Sequence, residues 1–239
     1  MRKPLLLSSL VLGALAGVPA QAADNLSVRG ALYYGVYQIR GYNDAFFVGS
    51  KDSAKTEGLG VGTTYGTGRV FLDLGLDYFQ VNDGLNGFDF ERTDLALSGG
   101  VKIIDWLGAF GGVRHAWQSP SNNEAVDHPF TSHNGWSENG VFLGPSVGPF
   151  AMGPLRLSAS VAYNFNWVRG PGANTVFSTN DSRRQYNGIG AKLRLGLAKS
   201  PHAVEVRYQR FANDKPDELD YNESYLYVGY IFNWNLLHH

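Results

Sequence analysis

A histidine beside a carboxylate is the first pairing to look for in a chain that has no cysteine. His128 and His133 share the stretch 119–138 with Glu124 and Asp127. A histidine oriented by an acid can take a proton from water, and two histidines with an acid can hold a metal. The spacing follows none of the usual ligand patterns, so no metal and no cofactor is expected. Asp-His adjacency in a polar stretch is common without chemistry, and no catalytic residue is assigned. A second set of charges is more regular: Arg29, Asp73, Asp77, Arg92, Asp94, Lys102, Arg114, Arg156, Lys192, Arg194, Glu205 and Arg207. Each falls inside a run where polar and apolar residues alternate, and Gly, Ser or Ala recurs two positions from all of them except Arg92 and Arg207.

The elements that must position these charges are strands. In Leu155–Trp167, the residues Leu155, Leu157, Ala159, Val161, Tyr163, Phe165 and Trp167 alternate with Arg156, Ser158, Ser160, Ala162, Asn164 and Asn166. Period two marks a β-strand with one apolar and one polar face. Similar runs cover about 26–39, 58–67, 69–80, 88–103, 107–118, 139–150, 155–168, 185–198, 203–211 and 223–234. Roughly ten residues is the length of a tilted membrane strand. Tight turns are expected at Gly66-Thr67-Gly68, Ile104-Asp105-Trp106, Met152-Gly153-Pro154 and Ser200-Pro201-His202. Longer segments at 40–57, 81–87, 119–138, 169–184 and 212–222 separate the other runs. Long connections after odd strands and short ones after even strands predict an all-β, up-and-down antiparallel barrel of about ten strands.

The N-terminus narrows the setting. Arg2 and Lys3 precede LLLSSLVLGALAG, an apolar run too short to span a bilayer, and Ala20-Gln21-Ala22 follows with small residues at a cleavage spacing. This reads as a secretory signal peptide over 1–22, leaving 23–239 as a single barrel domain. Its removal takes the formal charge from −1 to −3. There is no basic run, so nucleic acid is not an expected partner.

Alternation alone does not say which face points inward. A soluble secreted barrel of lipocalin type would put the apolar face inside, whereas a transmembrane barrel puts it against lipid. A water-facing surface is usually rich in Lys and Glu rather than Gly and Ser. Small residues between long charged ones suit a crowded lumen. Aromatics also gather near strand ends: Tyr78, Phe90, Trp117, Phe165, Trp167 and Tyr186 by the long segments, and Trp106, Phe150 and Trp234 by the turns. Such girdles mark membrane barrels. On this register the twelve charges line the lumen with a net charge of +4, either as a salt-bridge network or as an anion-preferring path.

The last run, SYLYVGYIFNW, places Leu226, Val228, Tyr230, Phe232 and Trp234 on one face. It resembles the C-terminal signature of Gram-negative outer-membrane β-barrel proteins, departing from it by the tail Asn235–His239. The resemblance implies an outer-membrane location, contact with lipid and lipopolysaccharide, and insertion by the outer-membrane assembly machinery. The stretch VRYQRFANDKPDELDYNESYLYVGYIF also resembles the end of the lipid A deacylases. Their His-x-Ser pair is replaced here by Arg210-Phe211-Ala212, and Glu223 alone stands near the acidic position. Without base and nucleophile that chemistry is missing.

The function expected is structural, surface-binding or narrow-channel. The alternative is an outer-membrane enzyme, either lipid A-modifying or an omptin-like hydrolase. Arg169, Arg183, Arg184 and Arg210 fall at the expected outer rim, where arginine can grip lipid A phosphates through paired hydrogen bonds. The sequence leaves the oligomeric state open.

Overall fold

The computed structural model describes residues 25–41, 51–84, 88–120, 136–169, 184–213 and 221–236. The expected signal peptide, His128, His133 and Arg183 lie outside these residues. Ten strands follow one another: β1 (Asn25–Gly41), β2 (Lys51–Thr67), β3 (Val70–Gly84), β4 (Phe88–Ile104), β5 (Leu107–Pro120), β6 (Trp136–Met152), β7 (Leu155–Arg169), β8 (Arg184–Leu197), β9 (His202–Asn213) and β10 (Tyr221–Asn235). Each pairs antiparallel with its sequence neighbours, and β1 pairs with β10, so the barrel is closed.

The ten-strand, up-and-down expectation holds. Its largest boundary error is β2, which begins at Lys51 rather than 58. In that extension Ser53, Lys55 and Glu57 point outward and are exposed, while Ala54 and Thr56 are buried. The outer face there is polar, so no apolar alternation reveals the strand. His202, expected in a turn, opens β9, where its ring stacks on Tyr230 and meets Phe232 edge-on.

The stagger follows from the register. Stepping across paired residues from Ser27, the ring passes Thr64, Asp73, Ser98, Gly112, Phe142, Asn164, Gly188, Phe211 and Glu223. It returns to β1 at Ile39, twelve residues beyond its start. For ten strands this offset sets a tilt of about 40°.

The faces separate as a transmembrane barrel requires. Leu32, Leu59, Val61, Leu143, Ile189 and Val228 are each more than half exposed on the outside. Arg92 and Glu205 are 1% exposed inside. The lipocalin-type alternative demands the reverse and is excluded. An apolar band of this extent is far larger than soluble proteins expose, and it suits lipid. Phe90, expected in the outer girdle, instead points inward and meets Tyr37 edge-on, with centroids 5.1 Å apart.

Inward aromatics lie over inward glycines of the next strand. Tyr33 faces Gly229, Tyr227 faces Gly35, Phe79 faces Gly58, Phe71 faces Gly100, Phe142 faces Gly112 and Phe211 faces Gly188. A Cβ on any of these glycines would come between 2.4 and 2.7 Å from the facing ring. The missing side chain is therefore what lets each ring lie down across the wall. At Gly112 a Cβ would also come 2.2 Å from the Leu97 carbonyl oxygen. Gly112→Val is expected to destabilise the barrel by about 1–3 kcal/mol through overpacking. Gly30, with nothing within 4 Å of an added Cβ, should accept Ala unchanged. Urea titration of the folded band on unheated gels measures both.

Candidate functional site in the barrel interior

The interior is lopsided. Strands β9, β10, β1, β2 and β3 contribute a buried aromatic and aliphatic cluster that includes Tyr33, Tyr37, Phe79, Phe211, Tyr225 and Tyr227. Phe79 stacks on Tyr227 with centroids 4.6 Å apart. Strands β4 to β8 contribute mostly small or polar inward residues, such as Ala96, Ser98, Ser146, Ser158, Ser160 and Asn164. Bulk on one wall and small side chains on the other leave a cavity of about 440 Å³.

The charges form three tiers. On the loop side, Arg92 is clamped by carboxylates from three strands. Its Nε meets Asp94 at 3.0 Å, its Nη2 meets Glu138 at 3.1 Å and its Nη1 meets Glu223 at 3.3 Å. The same Nη1 donates to the Tyr225 hydroxyl at 2.7 Å, and Gln118 donates to that hydroxyl at 3.3 Å. Arg114 adds contacts to Glu138 at 3.2 Å and to Asp94 at 3.6 Å, with its guanidinium over the Phe211 ring. Because β4, β6 and β10 stand around the circumference, this knot crosses the bore.

In the middle tier Arg207 meets Asp77 at 2.7 Å and Glu205 at 2.5 Å, and it donates to the Tyr33 hydroxyl. Buried charges persist only when paired, and both knots pair theirs, although Asp77 Oδ1 and Glu205 Oε2 are buried without a hydrogen-bond partner. In the third tier, nearer the turns, Arg29, Lys192, Arg194 and Asp73 line the cavity. None of the three cations has an ion pair within 4.0 Å among the described residues. Asp73 accepts a hydrogen bond from the Thr64 hydroxyl at 2.5 Å.

Lys102 and Arg156, expected in the lumen, are exposed at the turn-side mouth rather than lining the cavity. Glu138 and Glu223 are buried interior acids that sequence reasoning left out of the lumen. They lie near strand ends beside long connections and so read as loop residues. Counting them, the described inward face carries eight basic and six acidic groups, net +2 rather than +4. The turn-side tier and its mouth together carry +4, against −1 in each of the two tiers above.

Of the rim arginines, Arg210 is exposed on the outer face, across from Ile189 and Ser224. Arg169 and Arg184 end β7 and begin β8, and their side chains are not described. The neighbouring Phe211 is buried inside the barrel. His115 and His202 both point outward, and His115 bonds Asn139 at 2.7 Å beside Trp117. No described histidine faces the interior, and the buried carboxylates there are engaged by guanidinium groups. Among the described residues no group of three His, Cys, Asp or Glu could hold a metal.

No protein-family profile and no curated protein matches the sequence. Solved structures do. The beta domain of the Bordetella autotransporter BrkA aligns with a TM-score of 0.50 at 13% identity, over 88% of this chain and 100% of that one. This chain has the fold of an outer-membrane β-barrel. The translocator domain of the Neisseria meningitidis autotransporter NalP aligns at TM-score 0.46 and 13% identity, covering 95% of this chain and 94% of that one. The Escherichia coli outer-membrane protease OmpT aligns at 0.45 and 12%, covering 88% and 97%. The likeness to the BrkA beta domain, at 13% identity, speaks for the fold and not for a role.

Proposed function

We propose that this protein is an integral outer-membrane barrel with a sealed bore, holding its outward connections as a rigid surface-binding mount. The observation that carries this reading is Arg92, 1% exposed and bound by Asp94, Glu138 and Glu223 from three strands. A guanidinium shared across the barrel and backed by Arg114, Tyr225 and Gln118 puts buried side chains across the loop-side half of the bore. Ten strands enclose little more than the eight whose interiors side chains fill. On this reading residues 1–22 are cleaved, 23–239 form the barrel, and the assembly machinery recognises β10. Arg210 would then be one of the groups that meet lipopolysaccharide.

In planar bilayers the purified protein should give no resolved conductance steps, and in cells it should fractionate with the outer membrane and resist carbonate. Recovery in soluble periplasm would reject the location. A second reading, a narrow channel with anion preference, is favoured by the unpaired turn-side cations, and small anion-selective steps would support it. Hydrolysis of lipid A or peptide in a silent preparation would move the assignment to an enzyme, with His128 and His133 the first residues to change.

A further inference from the structure

We infer that the turn-side cavity is a binding site for a small oxyanion-bearing ligand, a phosphate or carboxylate compound entering from the turn-side mouth. The inference deepens the sealed-barrel reading, since a plug above makes the cavity a dead-end pocket. Four observations carry it. The cavity, about 440 Å³, falls in the size range of small-molecule sites. Arg29, Lys192 and Arg194 line it without an ion pair among the described residues, whereas Arg92, Arg114 and Arg207 are all paired.

Arg29 lines the cavity at 9% exposure, and its Nε, buried in the wall, has no hydrogen-bond partner. A buried cation without an ion pair costs stability that a ligand anion would recover. Finally, Gly62 and Gly75 both leave room for this guanidinium: a Cβ on either would lie 2.9 Å from its Nη2. The position is built into the backbone.

Hydroxyl donors sit beside the cations. Ser158 is directly across from Arg194, and Ser160 from Lys192. A fork of guanidinium donors with a neighbouring ammonium and hydroxyls is the chemistry that holds phosphate or carboxylate. Asp73, Asp77, Asp94 and Glu205 also line the cavity and oppose an anion; Asp77, Asp94 and Glu205 are each paired with a guanidinium of the two upper tiers, Glu205 also lies across from Arg194, and Asp73 has no ion pair among the described residues. Lys102 and Arg156, exposed at the mouth, raise the local concentration of anions there.

The test is calorimetric titration of the folded, detergent-solubilised protein at fixed ionic strength with inorganic phosphate, pyrophosphate and citrate, and with choline as a cationic control. Saturable binding of at least one anion and none of choline is expected. The phosphate and citrate arms tell the two ligand classes apart. Arg194→Gln should weaken binding about tenfold or more, the effect of losing a charge-assisted hydrogen bond. Asp73→Asn, which keeps an acceptor for Thr64, should tighten it. Bound anion should also slow acylation of Lys192 relative to exposed Lys199.

Absence of binding at millimolar anion in protein that still shows heat-modifiable mobility overturns the inference. So does binding that neither variant changes. Conductance in bilayers together with intact binding would reject the sealed bore and leave the anion site standing.

Discussion

Replacing Arg92 by Met should lower the free energy of unfolding by about 3–5 kcal/mol, because it leaves buried carboxylates without their cation. Met keeps much of the stem volume, so the loss is one of charge and hydrogen bonds rather than of packing. Asp94 and Glu138 retain contacts to Arg114, and Glu223 meets Arg92 directly at 3.3 Å. The double change Arg92→Met with Glu223→Gln should therefore cost less than the two single changes added together. A non-additive cycle is the mark of direct coupling. The measurement is a urea titration of protein refolded into lipid vesicles, read by gel mobility without heating. Strictly additive effects, or an Arg92→Met protein as stable as the parent, would remove the knot as the element that seals the bore.

The second large effect concerns the outer face. Leu193 is 47% exposed and lies between Ala159 and Val206 on neighbouring strands. Leu193→Arg puts a guanidinium against hydrocarbon and should cost about 2–4 kcal/mol near mid-bilayer. Ser98→Arg places the same side chain inside, across from Asp73 and in the wall of the cavity. Room and an opposite charge make that change tolerable, and assembly yield in cells should follow the same order. Equal damage from both substitutions would mean that the outer face does not meet lipid.

The strand count and both faces could be read from the sequence wherever the outer residues meet hydrocarbon. Leu155–Trp167 alternates because Val161, Tyr163 and Trp167 are outside, while Asn164 and Asn166 are buried inside. Where a strand rises past the apolar band, that contrast disappears, as in the first residues of β2. Phe90 was misplaced because its nearness to a long connection outweighed its parity. It shares the face of Arg92 and Asp94, and parity alone would have put it inside. Glu138 and Glu223 were missed for the same reason, although Glu138 keeps step with Gly140 and Phe142, and Glu223 with Tyr225 and Tyr227. The grouping of charges into tiers was not legible. It depends on the stagger between strands far apart in sequence, which no local pattern records.

The two tyrosine–glycine contacts between β1 and β10 give the seam a way to reject its own errors. A slip by one residue would turn a whole strand inside out, so only even slips are compatible with the two faces. Moved by two residues one way, Tyr33 would face Tyr227 and the rings would collide. Moved by two the other way, Gly35 would face Gly229 and leave a hole, while Tyr33 would press on Ile231. Only the observed register seats both rings, Tyr33 over Gly229 and Tyr227 over Gly35. The ends of the sheet thus act as a two-toothed key, and circular closure becomes a step that proofreads alignment as well as completing the wall.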